Sequence, residues 1–316
     1  MNSSKKKITP DINYDINKIQ TFDPKTLPRH PFVYIVSKRR SGKTHATSHL
    51  LYELRNGWPE QKEGWQKVYL FSETAHYPVD HPYSFIPIQN RFERFDEAIL
   101  KGILDNQRNI KLTNKNLDPE YRIENNILII LDDVIGDEAV TSSVILKRLA
   151  TQGRHISTSV FALSQELSSR GGFSSTIRKN VDVYMTFPIF DQGTREMASK
   201  AYCSIVDRKE GEELMNRITS LEDYMSCVMM ISKSNIRTYE DYIYKYKAPE
   251  QQVKKFVLGR PDNELYNKIS SKLNQNRQYT IYPQTGPRFT NKKFNGKKIR
   301  IGDISNIMES PFKTKH

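Results

Sequence analysis

Gly42, Lys43 and Thr44 stand in a row at the end of the segment Ser37-Lys38-Arg39-Arg40-Ser41. A glycine, an ammonium and a hydroxyl in that order suit a polyphosphate. Backbone N–H groups at a helix start face an anion, and the helix dipole adds partial positive charge there. Lys43 would bridge the β- and γ-phosphates as a point charge, and the Thr44 hydroxyl would ligate Mg²⁺. Gly42 is required because a side chain would meet the phosphate or strain the turn. All eight positions 37–44 are therefore assigned to nucleotide contact. This pattern normally opens on glycine, and Ser37 stands there instead. Serine tolerates positive φ less well, so a different entry geometry is expected.

A second set of groups lies downstream. The run Ile127-Leu128-Ile129-Ile130-Leu131 ends in Asp132-Asp133. Several apolar residues followed by an acid make a Walker B pattern, to set beside the Walker A pattern of 37–44. Asp132 would hold Mg²⁺, directly or through water, and Asp133 would orient or deprotonate the attacking water. Asp133 is one methylene shorter than the glutamate common at that place. Taken alone, the acid pair reads equally as a turn or helix cap. Gln165 ends a later apolar segment, where its amide would sit beside the γ-phosphate; an ordinary polar strand cap is the alternative. Arg154 and Arg178 are candidates for an arginine that stabilises developing charge at a neighbouring subunit's site. Lys38, Arg39 and Arg40 read as facing water or another subunit.

These groups need elements to hold them. Residues 32–36 and 127–131 are continuous apolar runs, as in strands buried on both faces. Further strands are expected at 68–71, 159–163, 181–187, 224–231 and 242–246, the last two antiparallel to their neighbours. Helical periodicity runs over 44–55, 92–110 and 138–153, with a helix pair over 194–219 that Gly211 interrupts. Residues 109–125 are polar and read as a loop. Strands alternating with helices imply an α/β fold with a mainly parallel central sheet flanked by helices. No internal repeat is present.

The net charge of +13 is unevenly placed. Residues 251–316 hold 14 Lys/Arg against 4 Asp/Glu, residues 1–30 hold 6 against 3, and the rest is balanced. The chain thus divides into a basic leader (1–30), a neutral ATPase body (31–250) and a basic C-terminal extension (251–316). Basic ends on a neutral body suit a polyanion. In the extension, Tyr279, Phe289 and Phe294 interleave with Arg288, Lys292, Lys293, Lys297 and Lys298. That mixture can grip nucleic acid through stacking plus charge, dock on another protein, or remain disordered. Cys203 and Cys227 have no partners at metal-ligand spacing, which fits a reducing, intracellular compartment. The N-terminus reads as lacking a secretory signal, and the apolar run at 127–131 is far short of the ~20 residues a bilayer needs. No membrane partner is expected.

Together these residues resemble the viral DNA-packaging ATPases of the FtsK–HerA superfamily, particularly the poxvirus and giant-virus type. The resemblance covers 31–250. It rests on positions 37–44, 127–133, Gly153-Arg154-His155, Leu163-Ser164-Gln165 and Ile177-Arg178-Lys179-Asn180. It implies a RecA-like P-loop fold of the ASCE type, with the phosphate-loop strand in the middle. The Gln165 strand would then lie between that strand and the Asp132 strand. It also implies a homo-oligomeric ring that hydrolyses ATP with Mg²⁺ and threads double-stranded DNA into a capsid. Related motors carry the trans-acting arginine just before the glutamine-terminated strand, which is Arg154's place. Such a motor would work in the host cytoplasm or viral factory, or stay with the virion. Other readings are a helicase-like ATPase, a nucleotide kinase (no lid segment is evident), or a DNA- or capsid-binding protein with a vestigial loop. For adenine, Tyr77 and Tyr83 are aromatic candidates only.

Overall fold

The computed structural model describes residues 15–259 except 77–81, 116–117, 120–121, 123–124, 135–139, 141, 168–171, 204–206 and 252, together with 292–294 and 297–299. Tyr77, Tyr279, Arg288 and Phe289 lie outside the described residues, as do residues 1–14 of the leader and most of the C-terminal extension.

Eight strands form one sheet: β1 (Phe32–Val36), β2 (Lys67–Ser72), β3 (Arg91–Phe92), β4 (Ile127–Asp132), β5 (Thr158–Ser164), β6 (Val183–Thr186), β7 (Ser226–Met230) and β8 (Ile243–Tyr246). Their order is β3-β2-β4-β5-β1-β6-β7-β8. All neighbours from β3 to β6 run parallel, while β7 and β8 are antiparallel to the strands beside them. The helices are α1 (Lys43–Leu54), α2 (Glu97–Lys115), α3 (Val144–Gln152), α4 (Ser175–Arg178), α5 (Gln192–Tyr202) and α6 (Arg208–Thr219). Apart from this sheet, β9 (Lys292–Phe294) and β10 (Lys297–Ile299) pair as an antiparallel hairpin.

Every residue of β1, β2, β4 and β5 is buried. Helices on both faces explain it, because a strand's successive side chains point to opposite sides. Tyr34 of β1 with Ile129 and Leu131 of β4 joins Leu104, Leu149 and Leu214 from the helices of one face. Ile35 with Leu128 and Ile130 joins Leu50, Leu51 and Leu54 of α1 on the other.

Four differences from the sequence expectation have local causes. The helix expected at 92–110 instead begins at Glu97, because Arg91 and Phe92 pair with β2 and Asp96 Oδ1 accepts from the N–H groups of Ala98 and Ile99 at 2.8 and 3.1 Å. That helix also continues to Lys115, through polar residues read as a loop. Its outer face meets water and needs no apolar period. The helix expected over 138–153 breaks at Ser143, whose Oγ caps the Leu146 N–H at 3.0 Å to start Val144–Gln152; residues 138, 139 and 141 lie outside the described residues. Finally, the leader is not all appendage. Ile19, Phe22 and Leu27 are buried, and Phe22 N donates to Lys245 O at 2.8 Å.

Gly211 lies inside α6 for a packing reason. A Cβ there would stand 2.4 Å from Ser199 Oγ and 2.8 Å from Cys203 Cβ, so α5 and α6 approach too closely for any side chain. Among the described residues, no helix is long and apolar enough to cross a membrane.

Candidate functional site: a phosphate loop facing two carboxylates

The parallel register fixes where the strands end. Val36 pairs with Ser164 and Thr186, and Asp132 pairs with Leu163. The loop after β1, the acids after β4 and the glutamine after β5 therefore leave the sheet along one edge. Ser37 N donates to Ser164 O at 3.0 Å, which ties the loop's first residue to the strand that carries Gln165.

Ser37 does not need glycine's freedom. The left-handed positions of this loop are Arg40 (φ 61°) and Gly42 (φ 91°), and Ser37 is not among the residues of positive φ. It is buried, and its Oγ has no hydrogen-bond partner within the chain. Ser41 Oγ donates to Lys38 O at 2.8 Å and closes the turn. Gly42 occupies the N-cap of α1 without a side-chain cap, so the first N–H groups of the helix face outward as anion donors. The φ of 91° strains any side chain at Gly42, and a Cβ there would also stand a tight 3.1 Å from Tyr224 Cδ1. Lys38, Arg39 and Arg40 are exposed, with the Lys38 ammonium 4.9 Å from the centre of the Phe190 ring.

Three sequence-assigned residues meet directly. Lys43 Nζ donates to Asp133 Oδ1 at 2.9 Å, and Gln165 Nε2 donates to Asp133 Oδ2 at 3.1 Å. Asp133 thus links the phosphate loop to the end of β5. It does so from a left-handed conformation, φ 54°, which costs on the order of 1 kcal/mol and more for a non-glycine residue. Lys43 is only 6 % exposed and Asp133 39 %, so the pair lies at the mouth of a cleft.

Asp132 is different. It is 7 % exposed, and its Oδ1 is buried without a hydrogen-bond partner among the described residues. Burial, then the neighbouring Asp133 charge, push its pKa up to about 6, opposed by Tyr83 and Lys43. A buried carboxylate oxygen left over in this way fits a cation, and Thr44 offers a hydroxyl nearby through their shared neighbour Tyr83. Mg²⁺ sites use one or two carboxylates plus substrate phosphates, which is the donor set available here.

Tyr83, entertained for adenine, does not face an open pocket. It is fully buried, and its phenol is held neutral by burial, then by the Asp132 and Asp133 charges, with the Thr44 hydroxyl opposing. Ser48 Oγ of α1 donates to Pro82 O at 3.3 Å and anchors this turn against the helix. On the other side of the loop, toward β6 to β8, a cavity of about 330 Å³ is lined by Gly42, Ala46, Phe187, Tyr224 and Ala248, with His45, Lys247 and Glu250 also at its wall. The sequence offers no marker for it, because Phe187 and Tyr224 follow and precede strands that only the sheet order brings beside β1. Tyr224 is 60 % exposed and has φ 61°.

The two arginines have different surroundings. Arg178 Nη1 donates to Leu167 O at 2.8 Å and reaches Met197 Sδ, so it ties the β5 exit to α5 within its own chain. Arg154 is exposed at the opposite, N-terminal edge of the sheet, near the half-buried Asp182, whose carboxyl is pushed up by desolvation against the opposing Phe32 N–H and Arg154 charge.

A strand order that separates β4 from β1 by β5, with the phosphate loop after the central β1 and an acid after β4, defines the RecA-like P-loop NTPase fold of the ASCE type. No family model matches the chain, and no curated protein matches it. Among solved structures, it is similar to B204, the DNA-packaging ATPase from Sulfolobus turreted icosahedral virus, at 13 % identity over 70 % of this chain and 100 % of that one (TM-score 0.46). The genome-packaging NTPase B204 from Sulfolobus turreted icosahedral virus 2, in complex with AMPPCP, is similar at 12 % identity over 72 % and 100 % (TM-score 0.44). The pCW3 conjugation coupling protein TcpA, with ATPγS, is similar at 14 % identity over 82 % and 75 % (TM-score 0.49).

Proposed function

We propose that the chain is a Mg²⁺-dependent ATPase whose turnover drives double-stranded DNA, packaging a viral genome as part of a homo-oligomeric ring. One observation carries the catalytic half: Lys43, Asp133 and Gln165 form a single hydrogen-bonded unit at the edge where a triphosphate would lie.

The chemistry follows from that unit. Phosphoryl transfer asks for positioning and charge neutralisation more than for covalent help. The N–H groups of α1 and the Lys43 ammonium take the phosphate oxygens. Phosphate competes with Asp133 for Lys43, so binding substrate releases the Asp133 carboxylate. Asp133 then accepts a proton from the attacking water, and Gln165, hydrogen-bonded to the same carboxylate, fixes its direction. Asp132 and Thr44 would hold Mg²⁺, with the Tyr83 hydroxyl beside both. When bound, the ion neutralises charge on the β- and γ-phosphate oxygens. The γ-phosphate end faces β4 and β5, which leaves the cavity bounded by Phe187 and Tyr224 for the base. Two aromatic rings, with the polar groups of His45, Lys247 and Glu250 at the wall, suit a purine that needs both stacking and hydrogen bonds.

Arg154 cannot reach its own phosphate loop, because the length of the sheet separates them. It is the residue we assign to a neighbour's nucleotide, in preference to Arg178, whose guanidinium is engaged within the chain. The basic ends support DNA as the polyanion, with capsid protein as a further partner of the extension. A non-catalytic DNA-binding protein is the competing class. ATP turnover of the wild type and Asp133→Asn, each with and without duplex DNA, separates the two. DNA-stimulated turnover that disappears in the variant supports the motor; DNA binding without turnover in the wild type removes it.

A further inference from the structure

The neutral body carries a local exception to its charge balance. Where α2 ends beneath β4 and β5, a cavity of about 330 Å³ opens at the N-terminal edge of the sheet. Arg29 reaches it from the segment before β1, Lys111 and Lys115 from the last turns of α2, and Arg122 from the following segment. Among the described residues, no Asp or Glu lines it.

Its floor is built rather than open. Gln107 and Asn125, 3 % and 6 % exposed, form a buried amide pair. Gln107 Nε2 donates to Asn125 O at 2.9 Å and to Ile156 O at 3.1 Å, and Asn125 Nδ2 donates to Gln107 Oε1 at 2.8 Å. These bonds tie α2 to the starts of β4 and β5, so the cations are held on a fixed frame. Lys111 also donates to His155 O, in the turn that carries Arg154. A buried histidine beside the cavity registers the field. His30 is pushed down to about 4 by burial, then by Arg29 and Lys111.

Helix C-termini attract lysines to complement the dipole, and that accounts for Lys111 and Lys115 alone. It does not account for Arg29 and Arg122, which come from other segments and converge on the same opening. Four cations from three segments match an oxyanion with several acceptor oxygens. The phosphate loop lies at the other end of the strands, roughly 17 Å away for a six-residue strand, so the cavity is not part of that site.

We infer that this cavity is a second phosphate site, holding the phosphodiester backbone of double-stranded DNA against the body of the protein. The assignment of DNA rests on the motor reading above. An open cavity whose cations spread over its rim suits a backbone of repeating phosphates more than one enclosed ion. Positive side chains on separate elements can each meet a different phosphate and release a different counterion. The basic extension would then be one contact among several, and the body would have a grip of its own.

The salt dependence of duplex-DNA binding by the full-length chain tests this. Each phosphate contact contributes about −0.9 to the slope of log K against log salt. Lys111→Gln with Lys115→Gln should reduce the slope by about 2 and weaken binding uniformly across sequences. Lys101→Gln with Lys200→Gln removes the same charge from exposed positions elsewhere and should change the slope far less. Circular dichroism and thermal unfolding check that the cavity variant is folded. Equal slopes for both double variants overturn the cavity assignment while leaving the motor intact. A wild type that fails to bind DNA removes the motor reading and the cavity assignment together. If DNA binding is unchanged but turnover loses its dependence on protein concentration, the phosphate belongs to a neighbouring protomer's nucleotide, and the DNA assignment is wrong.

Discussion

Asp133 is the residue on which the site turns, because it holds Lys43 on one oxygen and Gln165 on the other. Its replacement should separate binding from chemistry. Asp133→Asn is expected to keep ATP-analogue affinity within a few-fold while turnover falls by about 10²–10⁴-fold, the usual contribution of a positioned base. Lys43→Ala should lose both, which a fluorescent-nucleotide titration beside a phosphate-release assay would distinguish. Tyr83 has a narrower role beside Asp132 and Thr44. Tyr83→Phe is expected to raise the Mg²⁺ concentration needed for nucleotide binding by about 10-fold or more, as removal of a ligand-orienting partner does. An unchanged Mg²⁺ titration would leave the phenol as core packing. His30 makes a pH prediction. The unfolded chain takes up its proton near pH 6.5, but the fold resists uptake until about 4. Stability contributed by the neutral imidazole is therefore present above 6.5 and lost as pH falls toward 4, by about 3 kcal/mol. His30→Asn tolerates the local φ of 52° and should flatten that part of the profile, as read by denaturant titration between pH 7 and 4.5.

At the scale of elements, legibility followed burial. Strands covered on both faces, such as Ile127–Asp132, read as unbroken apolar runs and could hardly be missed. The two-residue strand Arg91–Phe92 left no period to detect, and the outer half of α2 has polar residues because solvent covers it. Site residues that belong to a local motif (Lys43, Thr44, Asp132, Asp133, Gln165) were visible before any fold was known. Phe187 and Tyr224 were not, since only sheet order places β6 and β7 beside the phosphate loop. Nor was the basic cavity visible, because Arg29 lies far in sequence from Lys111, Lys115 and Arg122. Gly211 shows the converse, a residue that weakens a helical reading while serving helix packing. Gly211→Ala should destabilise the protein by about 1–3 kcal/mol, the range for an overpacked interior, because Ser199 and Cys203 on α5 must move. Chemical denaturation would register that loss, and a change within experimental scatter would mean that the α5–α6 contact is looser than it is drawn here.

For the whole molecule, the sheet has two functional edges. The C-terminal edge gathers Lys43, Asp132, Asp133 and Gln165, the groups proposed for ATP, and the N-terminal edge presents Arg154 and the basic cavity. The proposed ring would bring the arginine of one copy to the nucleotide of the next. Arg154→Ala should lower turnover by up to about 10³–10⁵-fold if the arginine acts across an interface. Mixing it with Lys43→Ala protein should then restore part of the activity, because each variant supplies what the other lacks. The most direct measurement of the central claim is ATP turnover per chain, followed over a wide range of protein concentration with and without double-stranded DNA. The account predicts turnover that rises with concentration and rises further with DNA. Full turnover by a monomer, indifferent to DNA, would contradict it.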